Sequence, residues 1–380
     1  MSDPHGDSSM LREIREQGAL LTRGLPRWRE AIAALAERAR GKRLHLAGCG
    51  DMYFAAAQTA ALSETLGARR ARAWRSMDLR WSRHLLGPDD LVVGASISGR
   101  TPRTVEALLL ARKKGALTLA ITDNAGSPVA LAADEALVLG TATAEELEDE
   151  VYAGYRHIIA QTQTFLAVLL VELELLSALS GIPLATGRIP ERVGRLVDDL
   201  EPPVRELAPR FFADGSRVVL LGSGPFRPAA LYGGAKFMEF AVPSAVQCLE
   251  EFNHLEAFVS GAETRIVMLA GDEPSRDRAA ELAGPLETLG ARSLVLSQHG
   301  PFEGRFTEWL ALPEGDLPQT VLALLIAEQL LAAHGVAALG RDPNCWLGGR
   351  RPNLIQELSN RTIRGSRVFE AGDAGSVTRG

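Results

Sequence analysis

The chain has 380 residues, with 41 basic and 47 acidic side chains and a formal net charge of −6. At roughly 150 residues per domain this predicts two domains or one large duplicated one. With 46% apolar and 23% charged residues it can bury a full core, and its mild acidity excludes nucleic-acid binding driven by bulk charge. Cys49, Cys248 and Cys345 are too few and too scattered for a disulfide framework or a zinc site. Met1–Met10 has no apolar core of a signal peptide. The longest apolar run, Thr164–Leu179, carries Glu172 and Glu174 and reads as short of a membrane span. A soluble, cytoplasmic protein with no membrane partner is expected. Its cations are almost all arginine, with lysine only at 42, 113, 114 and 236.

In chain order, residues 11–40 have helical spacing in Leu11, Ile14, Leu20, Leu21, Ile32 and Leu35, with a break expected near Pro26. Arg43–Gly50 is a short apolar strand entering a Gly-x-Gly turn, followed by an Ala-rich helix from about Phe54. Asp90–Ala95 predicts a second strand that ends in Ser96-Ile-Ser-Gly-Arg-Thr101. Pro102 suits the first turn of the next helix, Val105, Leu108 and Leu109 mark its buried stripe, and Gly115 fits its end. Leu117–Ile121 is a third strand, turning at Asp123-Asn-Ala-Gly126. Such alternation indicates parallel βαβ units.

The second half echoes the first. Arg217–Gly224 follows Arg43–Gly50 by 174 residues with both glycines in register, and Ile266–Ala270 follows Leu91–Ala95 by 175. Gly290–Leu296 keeps that offset from Gly115–Ile121. A long helix near 156–180 is expected to bridge the copies, with Pro190 and Pro202-Pro203 punctuating the junction. The copies differ after the second strand of each, where the later one has Gly271-Asp-Glu-Pro-Ser-Arg276. Two carboxylates there would repel a phosphate, so one copy alone is expected to hold an anion.

Ser96, Ser98 and Thr101 put three hydroxyls at the mouth of a helix, where N–H groups and the macrodipole favour an anion. A helix cap needs only one of them. The missing Gly-x-x-x-x-Gly-Lys spacing excludes a P-loop, and no acidic ribose ligand supports a dinucleotide fingerprint, so no cofactor is called for. With no second histidine or cysteine at ligand spacing, no metal site is expected. Lys236 and Glu239 stand three apart on a predicted helix and face the same way. By themselves they read as a surface ion pair.

These segments together resemble the double sugar isomerase (SIS) family, in particular the isomerase half of the glutamine–fructose-6-phosphate aminotransferases. The resemblance covers about residues 40–365. It rests on Cys49-Gly50, Ser96-Ile-Ser-Gly-Arg-Thr101, Gly233-Gly-Ala-Lys-Phe-Met-Glu239, Glu251-Phe-Asn-His254 and Arg351-Pro-Asn-Leu354. It implies an α/β fold of two tandem three-layer α/β/α sandwiches with flavodoxin-like parallel sheets. The boundaries would be a helical segment 1–40, SIS domains 41–190 and 191–340, and a tail 341–380 closing the site.

The resemblance further implies a sugar-phosphate substrate held by Cys49, Gly50, Asp51, Ser96, Ile97, Ser98, Arg100, Thr101 and Gln356. Glu239 would shuttle the proton, Lys236 would belong to the same active-site helix, and His254 would assist ring opening from the neighbouring subunit of a homodimer. An aldose–ketose isomerase or an aminosugar-phosphate deaminase is expected, with a non-catalytic sugar-phosphate sensor as the rival and a sugar–amine deglycase sharing the same residues.

The sequence departs from the family in four places. Ser2 follows Met1 where the synthase has a cysteine nucleophile, so glutaminase activity is not expected and any ammonia or amine would come from a separate donor. Asp51 and Met52 replace phosphate-site hydroxyls, Arg100 replaces a glutamate, and Gln356 replaces the imine-forming lysine. Glutamine cannot make a Schiff base.

Overall fold

The computed structural model describes residues 8–68, 71–141, 161–300, 307–344 and 365–368. The chain divides into two compact units. The first-sheet unit comprises residues 23–153, 164–186 and 353–380, and the second-sheet unit residues 1–22, 154–163 and 187–352.

In the first-sheet unit, five parallel strands pair in the order β2-β1-β3-β4-β5. They are β1 (Arg43–Gly48), β2 (Ala71–Arg75), β3 (Asp90–Ala95), β4 (Leu117–Thr122) and β5 (Glu135–Val138). β3 is buried at every position and β1 at all but its first, as expected of strands covered on both faces. Helices α2 (Asp51–Thr65), α3 (Pro102–Lys113), α4 (Pro128–Ala132) and α5 (Gln163–Ser180) follow β1, β3, β4 and β5. Val105 and Leu108 of α3 pack with Ala120 and Val129 in one apolar cluster. Leu109 is half-buried.

The second-sheet unit repeats the order as β7-β6-β8-β9-β10. Its strands are β6 (Arg217–Gly222), β7 (Ser244–Gln247), β8 (Thr264–Leu269), β9 (Arg292–Ser297) and β10 (Thr307–Ala311). Its helices are α6 (Ile189–Phe212), α7 (Arg227–Glu239), α8 (Glu273–Leu289) and α9 (Leu317–Gly335). The core joins Val219, Ile266, Met268, Leu282 and Val295.

Three local expectations are corrected. Helix α1 (Ser9–Arg38) runs unbroken through Pro26. The buried stripe of Leu25, Trp28, Ile32 and Leu35 outweighs the ~3 kcal/mol an interior proline costs. Likewise α6 contains Pro190, Pro202 and Pro203 instead of stopping at them. Its face of Val193, Leu196, Leu200, Val204 and Phe211 is buried, and the helix packs along α9.

Third, α5 and α9 are both long and apolar enough to cross a membrane, by length and composition. Thr164–Leu179 therefore does not fall short of that test. Its apolarity reflects burial, since Thr164 through Leu176 are all buried in the structure. The described part of α5 begins at Gln163, and the expected start near 156 lies outside the described residues.

Candidate functional site

The first cluster stands at the carboxyl ends of β1 and β3 in the first-sheet unit, where ligands of parallel sheets bind. Ser96 leaves β3 with its amide donating to Ile121 O at 2.9 Å, and its hydroxyl lies 2.9 Å from Thr101 Oγ1. Gly99 N donates to Ser96 O at 2.9 Å, closing a turn at φ +67°. A Cβ there would lie 2.0 Å from Ser127 Oγ, so the turn demands glycine on both counts. Ser98 Oγ accepts from Arg100 N at 3.3 Å.

The loop is fixed from the next strand. Ile97 O accepts from Asp123 N at 3.0 Å and Thr122 Oγ1 at 3.1 Å, and Gly99 O accepts from Val129 N at 3.0 Å. Asp123 is itself held by the Thr141 amide at 2.9 Å and by the Thr141 hydroxyl. Thr122 and Ser127 were not singled out from the sequence. The turn at Asp123–Gly126 was legible there, but not that it braces the serine loop.

Thr101 occupies the N-cap of α3 without a side-chain cap bond to the helix. The hydroxyls of this loop are thus not explained by capping. The matching turn of the second sheet behaves in the opposite way. Asp272 caps α8 with its own carboxylate, which accepts from Ser275 N at 2.9 Å. A cavity of about 400 Å³ lies beside it, lined in part by Glu273, Arg276, Gln298 and His299.

Cys49 and Gly50 close β1, with Gly50 at φ +56° as N-cap of α2, and Asp51 opens the helix half-buried. Cys49 is exposed and reduced. Tyr53, one turn into α2, stacks under the Arg75 guanidinium at 4.4 Å. Arg103, in the first turn of α3, donates to the carbonyl of Arg367, placing that short piece of chain against α3. Gln356 and the Arg351–Leu354 motif lie outside the described residues.

His45 is also in this unit, but between Trp74, whose Nε1 donates to its Nδ1 at 3.0 Å, and Asp90, 3.1 Å from Nε2. Burial pushes its pKa down. His45 sits mid-strand in β1, between β2 and β3, and Asp90 begins β3 whereas Ser96 follows its end, so His45 is a core histidine away from the serine loop.

The second cluster lies in the second-sheet unit. Lys236 is fully buried, and its ammonium donates to Glu239 Oε1 at 2.9 Å and Oε2 at 3.0 Å. The surface ion pair expected from spacing alone is therefore corrected: the cation is interior, and the Glu239 side chain is 26% exposed. Lys236 Nζ also donates to Gln161 O at 3.0 Å and sits 4.9 Å above the Tyr232 ring. Tyr232, one helical turn before Lys236, carried a legible signal in its spacing. Gln161 carried none.

His254 ends a short 3₁₀ turn, Glu251–His254, with an exposed side chain whose Nε2 lies 3.5 Å from Glu250 Oε1. Leu255, Phe258 and Val259 beside it are exposed apolar residues. Among the described residues no group of three or more His, Cys, Asp or Glu side chains is arranged to hold a metal ion.

The fold and the strand-end loop place the chain among parallel α/β sandwich proteins of flavodoxin-like strand order. Residues 39–171 match the SIS domain family. The chain is 25% identical over 362 residues to glutamine–fructose-6-phosphate aminotransferase of Shewanella oneidensis, covering 88% of this chain and 56% of that one. It spans about half the length of the curated relatives it matches. Among solved structures it resembles tagatose-6-phosphate ketose/aldose isomerase from Escherichia coli, with a TM-score of 0.71, 20% identity, and 88% and 94% of the two chains covered. Glucosamine-6-phosphate deaminase from Thermotoga maritima gives 0.65 at 20% identity, covering 89% and 97%.

Proposed function

We propose that this chain is a sugar-phosphate enzyme of the isomerase or deaminase type, acting between C1 and C2 of a phosphorylated amino sugar. One observation carries the reading: the Ser96–Thr101 hydroxyl pair stands at a helix N-terminus without capping it. Helix N–H groups and hydroxyls aimed at one spot are the chemistry that holds a phosphate. Relatives named for fructose-6-phosphate, tagatose-6-phosphate and glucosamine-6-phosphate point the same way.

In this reading Ser96, Ser98 and Thr101 hold the phosphate, with Cys49, Gly50, Asp51, Ile97 and Arg100 around the sugar. Phosphate binding remote from the reacting carbons positions them and supplies much of the rate. Glu239 carries the proton, Lys236 fixes its carboxylate, and His254 assists ring opening. We read the second sheet as a second SIS domain, on the ground of its identical strand order. The exposed His254 with its apolar neighbours supports a homodimer in which each copy completes the other's site. A cytoplasmic location and a separate ammonia or amine donor belong to the same proposal.

Gln356 favours a second reading, a sugar-phosphate sensor without turnover, because it replaces the residue that would form an imine. A thermal-shift screen of hexose and hexosamine phosphates, followed by NMR of each hit for conversion, separates the two. Stabilisation with conversion supports the enzyme, stabilisation alone supports the sensor, and no stabilisation by any sugar phosphate removes both.

A further inference from the structure

A fully buried ammonium is admitted to a protein interior only when paired and hydrogen-bonded. Lys236 meets that demand with three acceptors at 2.9–3.0 Å, one for each of its N–H donors: both Glu239 oxygens and the Gln161 carbonyl. The Tyr232 ring lies beneath, and its hydroxyl accepts from Gln329 Nε2 at 3.0 Å. Two of these partners belong to the lysine's own helix, which fixes where they are. Gln161 does not. It precedes α5 outside regular structure, so its carbonyl stays on the ammonium only if something holds the strap that carries it.

Glu13, on helix α1, is that holder. Its Oε2 accepts from Thr162 N at 2.8 Å, Thr162 Oγ1 at 3.2 Å and Gln163 N at 3.4 Å. Gln163 Nε2 donates back to Glu13 O at 3.2 Å. The amides of 162 and 163 are therefore gripped by a carboxylate, and the carbonyl of 161 by the ammonium. We propose that Glu13 is a positioning residue for Glu239, acting through residues 161–163 and Lys236. The inference rests on the proposed role of Glu239 as proton carrier, and it extends the site to a residue more than two hundred positions upstream.

The four lysines of this chain make the test direct. Protein labelled with ¹⁵N-lysine gives four Nζ signals, and Lys236→Met assigns the one that is protected from solvent exchange. Glu13→Ala is expected to lose that protection and to lower kcat on the sugar phosphate roughly 10- to 100-fold with KM unchanged, as misplacement of a reacting group does. Glu13→Gln keeps an oxygen for the same amides and should restore most of both. A Lys236 signal as protected in Glu13→Ala as in the wild type overturns the proposal, and so does lost protection with wild-type kcat. Should Glu13→Ala not fold, Glu13→Asp withdraws the oxygen by one methylene, and unchanged protection there overturns it equally. If the wild type turns over no sugar phosphate, the functional reading fails while the exchange measurement still decides the clamp.

Discussion

Thr101 Oγ1 lies 2.9 Å from Ser96 Oγ and makes no bond to the helix whose N-cap it occupies. Asp272 at the corresponding turn of the second sheet does the reverse, spending its carboxylate on its own helix. The two sheets share a strand order and differ in what their strand ends offer an anion. Ser98→Ala should weaken sugar-phosphate binding by roughly 1.5–3 kcal/mol, the worth of one hydrogen bond to a charged group. Ser275→Ala should leave binding unchanged. Calorimetry on both variants checks this, and equal losses would contradict an anion site confined to the first sheet.

Gly99 sets the shape of that loop. Alanine there meets the left-handed backbone cost of about 1–2 kcal/mol and a clash with Ser127. Gly99→Ala should therefore lower the melting temperature and abolish stabilisation by sugar phosphates. A variant that still binds with wild-type affinity would mean that the turn does not shape the phosphate site.

The proposed role of Glu239 as base is tested by Glu239→Gln. Glutamine keeps the shape and one oxygen but cannot carry a proton, so turnover should fall by about 10²–10⁴-fold. Ligand affinity should change little, because the hydroxyls proposed to hold the phosphate are untouched. In deuterated water the wild type should also exchange the proton on C2 of its substrate. Binding without turnover or exchange in the wild type would leave the sensor reading standing.

Sharing of sites between subunits is a separate matter. A Glu239→Gln chain mixed with a His254→Ala chain should recover part of the activity in heterodimers. Absence of recovery after subunit exchange has been verified, or a fully active monomer by light scattering, would rule out a shared site.

What the sequence disclosed follows from where each element lies. β1, β3, β4, β6, β8 and β9 are buried apolar runs ending in glycine or serine turns, and such runs stand out in a linear reading. The strands β2, β5, β7 and β10 give no such signal, because nearly all their residues are exposed or half-buried and they are short of apolar runs, as in Ala-Arg-Ala-Trp-Arg. Pro26 and Pro202 were misleading for the converse reason, since helix breaking is a local rule and burial of a whole face overrides it. In the sites, Ser96–Thr101 were contiguous and hence legible. Of the partners of Lys236, Glu239 was legible by its spacing and Gln161 was not, because Gln161 is far away in the chain and contributes only a carbonyl that any residue would have.

The interior also carries a pH signature. Glu172, on α5, is fully buried with Thr59 Oγ1 donating to it at 3.1 Å, and burial pushes its pKa from about 4.5 up to about 8. A carboxyl raised in the folded state holds its proton where the unfolded chain has lost it. Between those two values the folded protein binds one more proton than the unfolded one, so its stability falls as pH rises, by about 1.4 kcal/mol per pH unit for this group. The contribution is fully present below pH 4.5 and is lost by about pH 8. Glu328, on α9, is equally buried and shifted in the same direction. Its oxygens have no hydrogen-bond partner among the described residues, and Gly233 of α7 lies against it. Glu172→Gln keeps an acceptor for Thr59 and removes the titration. Denaturant unfolding at pH 5, 6, 7 and 8 should then give a shallower decline than the wild type, by about one proton's slope, with the part due to Glu328 remaining. An unchanged slope in Glu172→Gln would mean that Glu172 is already ionised in the fold, and that the interior around Thr59 is wetter than its complete burial implies.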